Sequence, residues 1–236
     1  MRGSFKAMVI GVSLAVSTSA VQATPVSLEA EYAGFAQGSD SGAISSDWGS
    51  SWTGVSAGMF SFETSNVQGG SDDFWEGTLE AFCVEIETIL DQSSVVEYSV
   101  VDAETYFDEN FSGGLQLDAV GRFYTGFRDQ VQDSTTSAAF QLGLWELLYE
   151  GIDMPPNVTD GQFRTKNFSP DVVETANSWL NDLWSYESTY SLSVLSAKGT
   201  QDVMVMRPDA PTPVPAPATL GLMALGLAAI GLRRRR

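Results

Sequence analysis

The sequence contains no histidine, only one cysteine and few basic residues. Without histidine, Ser-His-Asp and Cys-His catalysis, most zinc sites and histidine-ligated haem are excluded, and we predict no metal or other cofactor. The lone cysteine, Cys83, cannot form a disulfide within the chain. All 30 acidic residues but only six of the 12 basic residues lie between positions 24 and 217, so this part has a net charge near −24. Nucleic acid is therefore not expected as a partner.

The first 23 residues have the three zones of a secretory signal. Arg2 and Lys6 supply positive charge, and residues 7–16 are mostly apolar but too few to span a membrane comfortably. Small residues at positions 21 and 23 suit a signal peptidase. We therefore predict a signal peptide at 1–23, export of the chain and a mature protein that begins at Thr24.

The C-terminal region combines a proline-rich spacer with a short uncharged stretch. Residues 208–217 contain five prolines, which favour extended backbone and give a stiff spacer. In the segment 218–236, the first 15 residues carry no charge. As a helix they span about 22 Å, against a hydrocarbon core of about 30 Å. This short helix is a poor permanent anchor, and its terminal arginines should stay on the cytoplasmic side.

The last 23 residues carry a short proline motif, the apolar helix and a basic cluster. The motif and cluster residues are Val214, Pro215, Ala216, Pro217, Arg233, Arg234, Arg235 and Arg236. Together they resemble a PEP-CTERM sorting signal. The resemblance implies a Gram-negative bacterium, an exosortase-type membrane protease as partner and a transient inner-membrane intermediate. It also implies a final location at the cell surface or in the extracellular matrix, with links to exopolysaccharide and biofilm. An ordinary tail anchor is the alternative.

The region between the two ends is predicted to be a single α+β domain, residues 24–207. Its periodicity indicates antiparallel β strands that flank a helical middle region. The strands are predicted at 26–35, 55–63, 78–90, 95–101, 190–197 and 202–206, the last two as a hairpin, with a loop at 38–54. The helices are predicted at 120–131, at 137–149 with Thr135 or Thr136 as the cap, and from Pro170 onward with Ser169 as the cap.

Cys83 and Gln141 are the residues with the clearest chemical potential. Apolar residues surround Cys83 on both faces of its predicted strand, so its thiol should be buried. Gln141 shares a helix face with Trp145 and Leu148, so its amide should point inward. A buried amide without partners costs about 1–3 kcal/mol, which requires an explanation. One explanation is an internal thioester, formed when the cysteine sulfur attacks the amide and expels ammonia. The thioester could then transfer the glutamine acyl group to an amine or hydroxyl.

Two short motifs surround this pair, Phe82-Cys83 and Phe140-Gln141-Leu142-Gly143-Leu144-Trp145. With the intervening chain, residues 79–150, they resemble the thioester domains of bacterial surface adhesins. The resemblance implies that Cys83 and Gln141 form the bond and that the protein adheres covalently. It also implies supporting roles for Phe82, Phe140, Leu144 and Trp145.

A non-covalent role is the main alternative. Cys83 would then be a small apolar core residue, and Gln141 would bond a loop backbone. The protein would be a structural or polysaccharide-binding component of the matrix. Trp48, Trp52 and Trp75 are candidates for stacking on sugars.

Two further candidates involve acidic residues. Asp72, Asp73 and Glu76 could bind calcium with loop carbonyls, although their spacing matches no strong pattern. Glu85 and Glu87 are predicted to face one side of a strand and could form an acid pair for glycosidic cleavage. This hydrolase hypothesis is the least favoured, and we predict that the protein is not an enzyme.

Overall fold

The computed structural model describes residues 26–69, 73–111, 114–150 and 156–208. The signal peptide, nearly all of the proline-rich spacer, and the C-terminal segment with its sorting residues lie outside these ranges. Among the residues that are described, no helix is both long and apolar enough to cross a membrane.

The described chain forms nine strands and four α-helices, as the sequence predicts for a mixed fold. The strands are β1 (Ser27–Phe35), β2 (Asp40–Ser45), β3 (Thr53–Ala57), β4 (Phe60–Gln68), β5 (Gly77–Cys83), β6 (Val95–Asp102), β7 (Arg164–Lys166), β8 (Tyr190–Ser196) and β9 (Val203–Pro208). The helices are α1 (Ala103–Asn110), α2 (Gly114–Phe127), α3 (Ser134–Tyr149) and α4 (Pro170–Asp182).

Six strands close into a barrel in the order β1-β4-β5-β9-β8-β6, and every pair is antiparallel. The alternation predicted for β1 places Leu28 and Ala30 in the core, where they meet residues such as Phe62 and Tyr98. The hairpin of β8 and β9 is confirmed, with Val194 paired to Met204. β9 also pairs with β5, so the C-terminal hairpin lies beside the strand that ends at Cys83.

A second, three-stranded sheet has the order β3-β2-β7. It contradicts the predicted loop at 38–54, because β2 lies within that segment. Gly42 explains the unusual composition of β2: a Cβ at this position would lie 2.4 Å from the Phe168 ring. The predicted strand at 55–63 is also wrong, because it is divided between β3 and β4. The break falls at Gly58, where a Cβ would lie 2.6 Å from the Gly38 carbonyl oxygen.

β5 is shorter than the strand predicted at 78–90. It ends at Cys83, and the next backbone N–H, that of Val84, bonds the Asp202 carbonyl oxygen at 3.2 Å. Glu85 and Glu87 therefore share no strand face, which removes the basis for the proposed acid pair. The regular strand instead ends at Cys83, and Val84 makes one further bond to the residue before β9.

The helical region includes one helix, α1, that the sequence analysis missed. Asp102 caps it by accepting hydrogen bonds from the backbone of Glu104 and Thr105. α3 begins earlier than predicted because its cap is Asp133, which forms a capping box with Thr136. The start of α4 is confirmed, with proline in the first turn, but the side chain of Ser169, in the cap position, makes no capping hydrogen bond.

α3 is the central helix of the fold. Every residue from Ser137 to Leu148 on this helix is buried. α2 crosses it closely at Gly143, where a Cβ would lie 2.4 Å from the Phe123 ring. A helix buried on all sides can hold a polar side chain such as that of Gln141 only where a partner is provided.

Candidate functional site

The two residues singled out from the sequence lie at the junction of β5 and α3. Cys83 is the last residue of β5, and Gln141 lies in the second turn of α3. The residues directly before them, Phe82 and Phe140, stack with ring centroids 4.4 Å apart. This contact fixes the end of the strand against the helix.

The Gln141 carboxamide pairs with the backbone of Cys83 through two hydrogen bonds. The Cys83 N–H donates to Oε1 of Gln141 at 2.9 Å, and Nε2 of Gln141 donates to the Cys83 carbonyl oxygen at 2.9 Å. The side chain thus occupies the place of a neighbouring strand at the end of β5. Both residues are 1% exposed. This pairing satisfies the buried amide and holds it beside the cysteine.

The Cys83 thiol is in an apolar and acidic environment. Burial raises its pKa well above the ordinary value, the indole of Trp145 acts in the opposite direction, and Glu85 adds a smaller rise. The thiol donates a hydrogen bond to the Glu85 carbonyl oxygen. The indole N–H of Trp145 is buried without a hydrogen-bond partner and lies near the sulfur, where it lowers the thiol pKa. The thiol is therefore neutral and held in place.

The chain that follows Cys83 is anchored to two other parts of the fold. The Tyr149 hydroxyl, at the end of α3, donates to the Val84 carbonyl oxygen at 3.0 Å. Gln201, in the β8–β9 turn, donates through Nε2 to the Glu85 carbonyl oxygen at 2.8 Å. The Asp202 N–H donates to the Glu85 carboxylate at 2.8 Å. These bonds give the buried pair a fixed frame, as a reaction between neighbouring groups requires.

A cavity of about 530 Å³ lies against the pair and includes Cys83, Gln141 and Trp145 in its lining. Its walls combine aromatic and aliphatic side chains with polar ones, and Glu87 is the acidic residue. The other wall residues relevant here are Tyr32, Phe35, Phe60, Ile86, Ile89 and Gln201. Its volume lies within the usual range of small-molecule sites. A small nucleophile can therefore be accommodated next to the two residues.

The four supporting residues are all buried in the core. Phe82 and Phe140 hold the two elements together, and Trp145 lies at the sulfur and in the cavity wall. Leu144 is 0% exposed, one turn beyond Gln141. Its place is that of a core residue next to the site.

The three tryptophans proposed for sugar binding differ in their surroundings. Trp75 is only 4% exposed, so the expectation of an exposed ring is wrong for this residue. Thr64 fixes the backbone there by donating to the Trp75 carbonyl oxygen at 2.6 Å. Trp52 is half-buried under the Lys166 ammonium, 3.8 Å from the ring centroid. Trp48 is 61% exposed.

The calcium candidate has no support among the described residues. Asp73 and Glu76 belong to a tight turn in which the Glu76 N–H bonds the Asp73 carbonyl oxygen at 3.2 Å, while Asp72 lies outside the described ranges. In the part of the chain that the structure describes, no three Asp, Glu, Cys or His side chains are grouped so that they could hold a metal ion.

Sequence reasoning missed a buried carboxylic acid near the end of α3. Glu146 is 0% exposed, and its Oε1 accepts the Asn157 N–H at 2.7 Å while Oε2 has no partner. Burial raises its pKa to about 8, opposed by the Asn157 bond and assisted by Glu150 and Asp160. The sequence offered a weak signal, because an acid at position 146 interrupts the apolar run of α3.

Comparisons with known proteins support the C-terminal interpretation. Residues 213–236 match the family model described as the PEP-CTERM protein-sorting motif. A search of curated proteins found no match. Among solved structures, the chain is similar to the N-terminal thioester domain of a surface protein from Clostridium perfringens, in a cysteine-to-alanine variant. That match has a TM-score of 0.40 and 12% identity, and covers 58% of this chain and 91% of the other. The C-terminal motif indicates an exported protein that is sorted by an exosortase.

Proposed function

We propose that this exported protein attaches covalently to a surface or matrix partner through an internal thioester between Cys83 and Gln141. The observation that carries the proposal is the pair of 2.9 Å hydrogen bonds that holds the Gln141 carboxamide against the backbone of the chain's single cysteine. The frame around the pair and the adjoining cavity add to it.

In the proposed first step, the Cys83 sulfur attacks the side-chain carbonyl carbon of Gln141. A carbon–sulfur bond forms, the carbon–nitrogen bond breaks, and Nε2 leaves as ammonia with the thiol proton. The Cys83 N–H already donates to Oε1 of Gln141, the oxygen that gains negative charge in the tetrahedral intermediate. A preorganised donor at that oxygen stabilises the transition state. The reaction consumes no cofactor.

The surroundings of the sulfur favour a thioester that persists until a partner arrives. Burial raises the pKa of the Cys83 thiol, and a thiol of high pKa is a poor leaving group. The thioester also has no ionisable group, so its formation removes a buried thiol without adding a buried charge. Slow hydrolysis follows from the poor leaving group, and the absence of a buried charge favours the thioester at equilibrium.

In the second step, an amine or hydroxyl of the partner enters the cavity and attacks the same carbonyl carbon. The carbon–sulfur bond breaks, and sulfur takes the proton of the nucleophile to become a thiol again. Gln141 is left joined to the partner by an amide or ester. Each molecule reacts once, so the protein acts as an adhesin rather than as an enzyme with turnover.

The cellular setting of the proposal follows from the sorting motif. Exosortase would act on the chain while its C-terminal segment is held at the inner membrane of a Gram-negative cell. The body, residues 24–207, would then reach the cell surface or the exopolysaccharide matrix, where amines and hydroxyls are available as targets. The strongly acidic composition keeps such a body soluble.

Intact-mass spectrometry of the purified mature protein tests the thioester. The expected mass is lower than that of the unmodified chain by one ammonia molecule, and the deficit should disappear in Cys83→Ala. Gln116→Ala is a control that should keep the mass deficit. Gln116 is also a buried helical glutamine, but it bonds the carbonyls of Leu147 and Leu148. An unshifted wild-type mass would end the covalent proposal.

A second candidate function, non-covalent glycan binding, is favoured by Trp48. Trp48 is 61% exposed. Its backbone has a left-handed φ of 63°, which is unusual for a bulky residue. Asp47 holds the loop rigid by accepting from the Ser45 hydroxyl and the Ser51 N–H. Retention on immobilised polysaccharide should be lost in Trp48→Ala and kept in Trp184→Ala, another exposed tryptophan. Equal retention by both variants would remove this candidate.

A further inference from the structure

A separate cavity of about 470 Å³ lies between β5, β9 and the C-terminal part of α2, and neither Cys83 nor Gln141 lines it. Its walls are mainly apolar and include Phe74, Leu79, Phe82 and Met206. The volume suits a small molecule. Nothing in the proposed thioester chemistry uses this space.

Tyr124 gives the cavity an unsatisfied polar group. The side chain lines the cavity and is 1% exposed, and its hydroxyl is buried without a hydrogen-bond partner. Burial raises the pKa of Tyr124 strongly, while the Arg128 guanidinium lowers it, so the hydroxyl lies within the field of that charge. A buried hydroxyl without a partner destabilises the fold, and a ligand that accepts a hydrogen bond from it would remove that cost.

Arg128 places a positive charge at the same cavity, one of only six basic residues between positions 24 and 217. Its guanidinium forms an ion pair with Glu80 through one terminal nitrogen. The Arg128 side chain is 18% exposed and that of Glu80 is 40% exposed, so the carboxylate can turn into solvent. An ion pair whose carboxylate is open to solvent contributes little, so another carboxylate can replace that of Glu80 at Arg128.

We propose that this cavity binds a small molecule that has an apolar body and one carboxylate. The carboxylate accepts hydrogen bonds from the Arg128 guanidinium and the Tyr124 hydroxyl in place of Glu80. A planar guanidinium matches a carboxylate through two parallel bonds, and the hydroxyl supplies a third donor. The aromatic and aliphatic walls take the apolar body.

Isothermal titration calorimetry on the mature protein tests this with 3-phenylpropionate and the matched alcohol 3-phenylpropan-1-ol. The carboxylate should bind about tenfold or more tightly than the alcohol, because only it forms a charge-assisted bidentate pair with the guanidinium. Arg128→Gln should weaken carboxylate binding about tenfold, and Arg128→Lys should give an intermediate loss. Arg122→Gln is the matched control on α2, since Arg122 pairs with Asp118 outside the cavity, and it should bind normally.

Tyr124→Phe separates a binding role from a structural one. Removal of the unpartnered hydroxyl should raise the melting temperature of the ligand-free protein while it weakens binding of 3-phenylpropionate several-fold. These two effects have opposite signs, and a purely structural tyrosine would not show both. Absence of carboxylate binding, equal binding of the alcohol, or equal losses in Arg128→Gln and Arg122→Gln would overturn the proposal.

Discussion

The ring of Phe82 stacks on the ring of Phe140 at 4.4 Å, and each residue directly precedes one member of the Cys83–Gln141 pair. The contact joins β5 to α3 across 58 positions of sequence, and the two hydrogen bonds between Cys83 and Gln141 lie immediately beside it. The aromatic contact therefore positions the pair as well as filling the core.

Replacement of Phe140 should reduce thioester formation beyond its effect on stability. Phe140→Ala should lower the free energy of unfolding by about 3–5 kcal/mol, so Phe140→Leu is the better test because it preserves most of the volume. We expect Phe140→Leu to lower the thioester fraction in folded protein, measured by intact mass. Phe62→Leu in the barrel is the control. It should be less stable to urea but should keep the wild-type thioester fraction. Equal fractions in both variants would show that the stack does not position the pair.

The unpartnered indole N–H of Trp145 should assist departure of the sulfur. A hydrogen bond to a charged group contributes about 1.5–3 kcal/mol, so Trp145→Phe should slow reaction of the thioester with methylamine roughly 10- to 100-fold. The rate is obtained by stopping the reaction with methylamine at several times and measuring the mass of the protein. Trp75→Phe, at another buried tryptophan, should react at the wild-type rate. An unchanged rate in Trp145→Phe would remove Trp145 from the mechanism.

Glu146 should make stability depend on pH. Its pKa is raised to about 8 in the folded protein, so the folded state binds the proton more tightly than the unfolded state. The contribution of Glu146 to the free energy of unfolding should be greatest below pH 4.5. It should fall by at most about 5 kcal/mol as the pH rises to about 8. Urea unfolding at several pH values measures the slope.

Glu146→Gln should flatten this slope, because an amide keeps the acceptor for the Asn157 N–H without an ionisable proton. Glu174→Gln, at an exposed residue of α4, should retain the wild-type slope. A slope of the opposite sign in the wild type, or an unchanged slope in Glu146→Gln, would contradict the assignment.

Parts of the fold with strong local signals were predictable from sequence. The start of α4 follows from the proline in its first turn, and the hairpin of β8 and β9 follows from turn chemistry. The burial of Cys83 and Gln141 followed from the apolar residues around them. Their contact was a hypothesis based on the chemistry of the pair and the resemblance to thioester domains, because periodicity alone does not say which strand meets which helix.

Other parts depend on distant partners and were not predictable locally. β2 contains Ser, Asp and Gly, which rarely favour strands, and it forms because β3 and β7 pair with it on both sides. The residue after β5, Val84, bonds the carbonyl oxygen of Asp202, more than a hundred residues later. The unpartnered hydroxyl of Tyr124 could not be predicted from the sequence, since a tyrosine on an apolar helix face is also typical of an ordinary core residue.

A count of free thiols in denatured protein tests the central claim most directly, because the chain has one cysteine. Freshly purified mature protein, unfolded in guanidinium and treated with a thiol reagent, should show no reactive thiol. Incubation of the folded protein with methylamine beforehand should release one thiol per chain and place the methylamide on Gln141. One thiol per chain without methylamine, and no modification of Gln141 with it, would contradict the account.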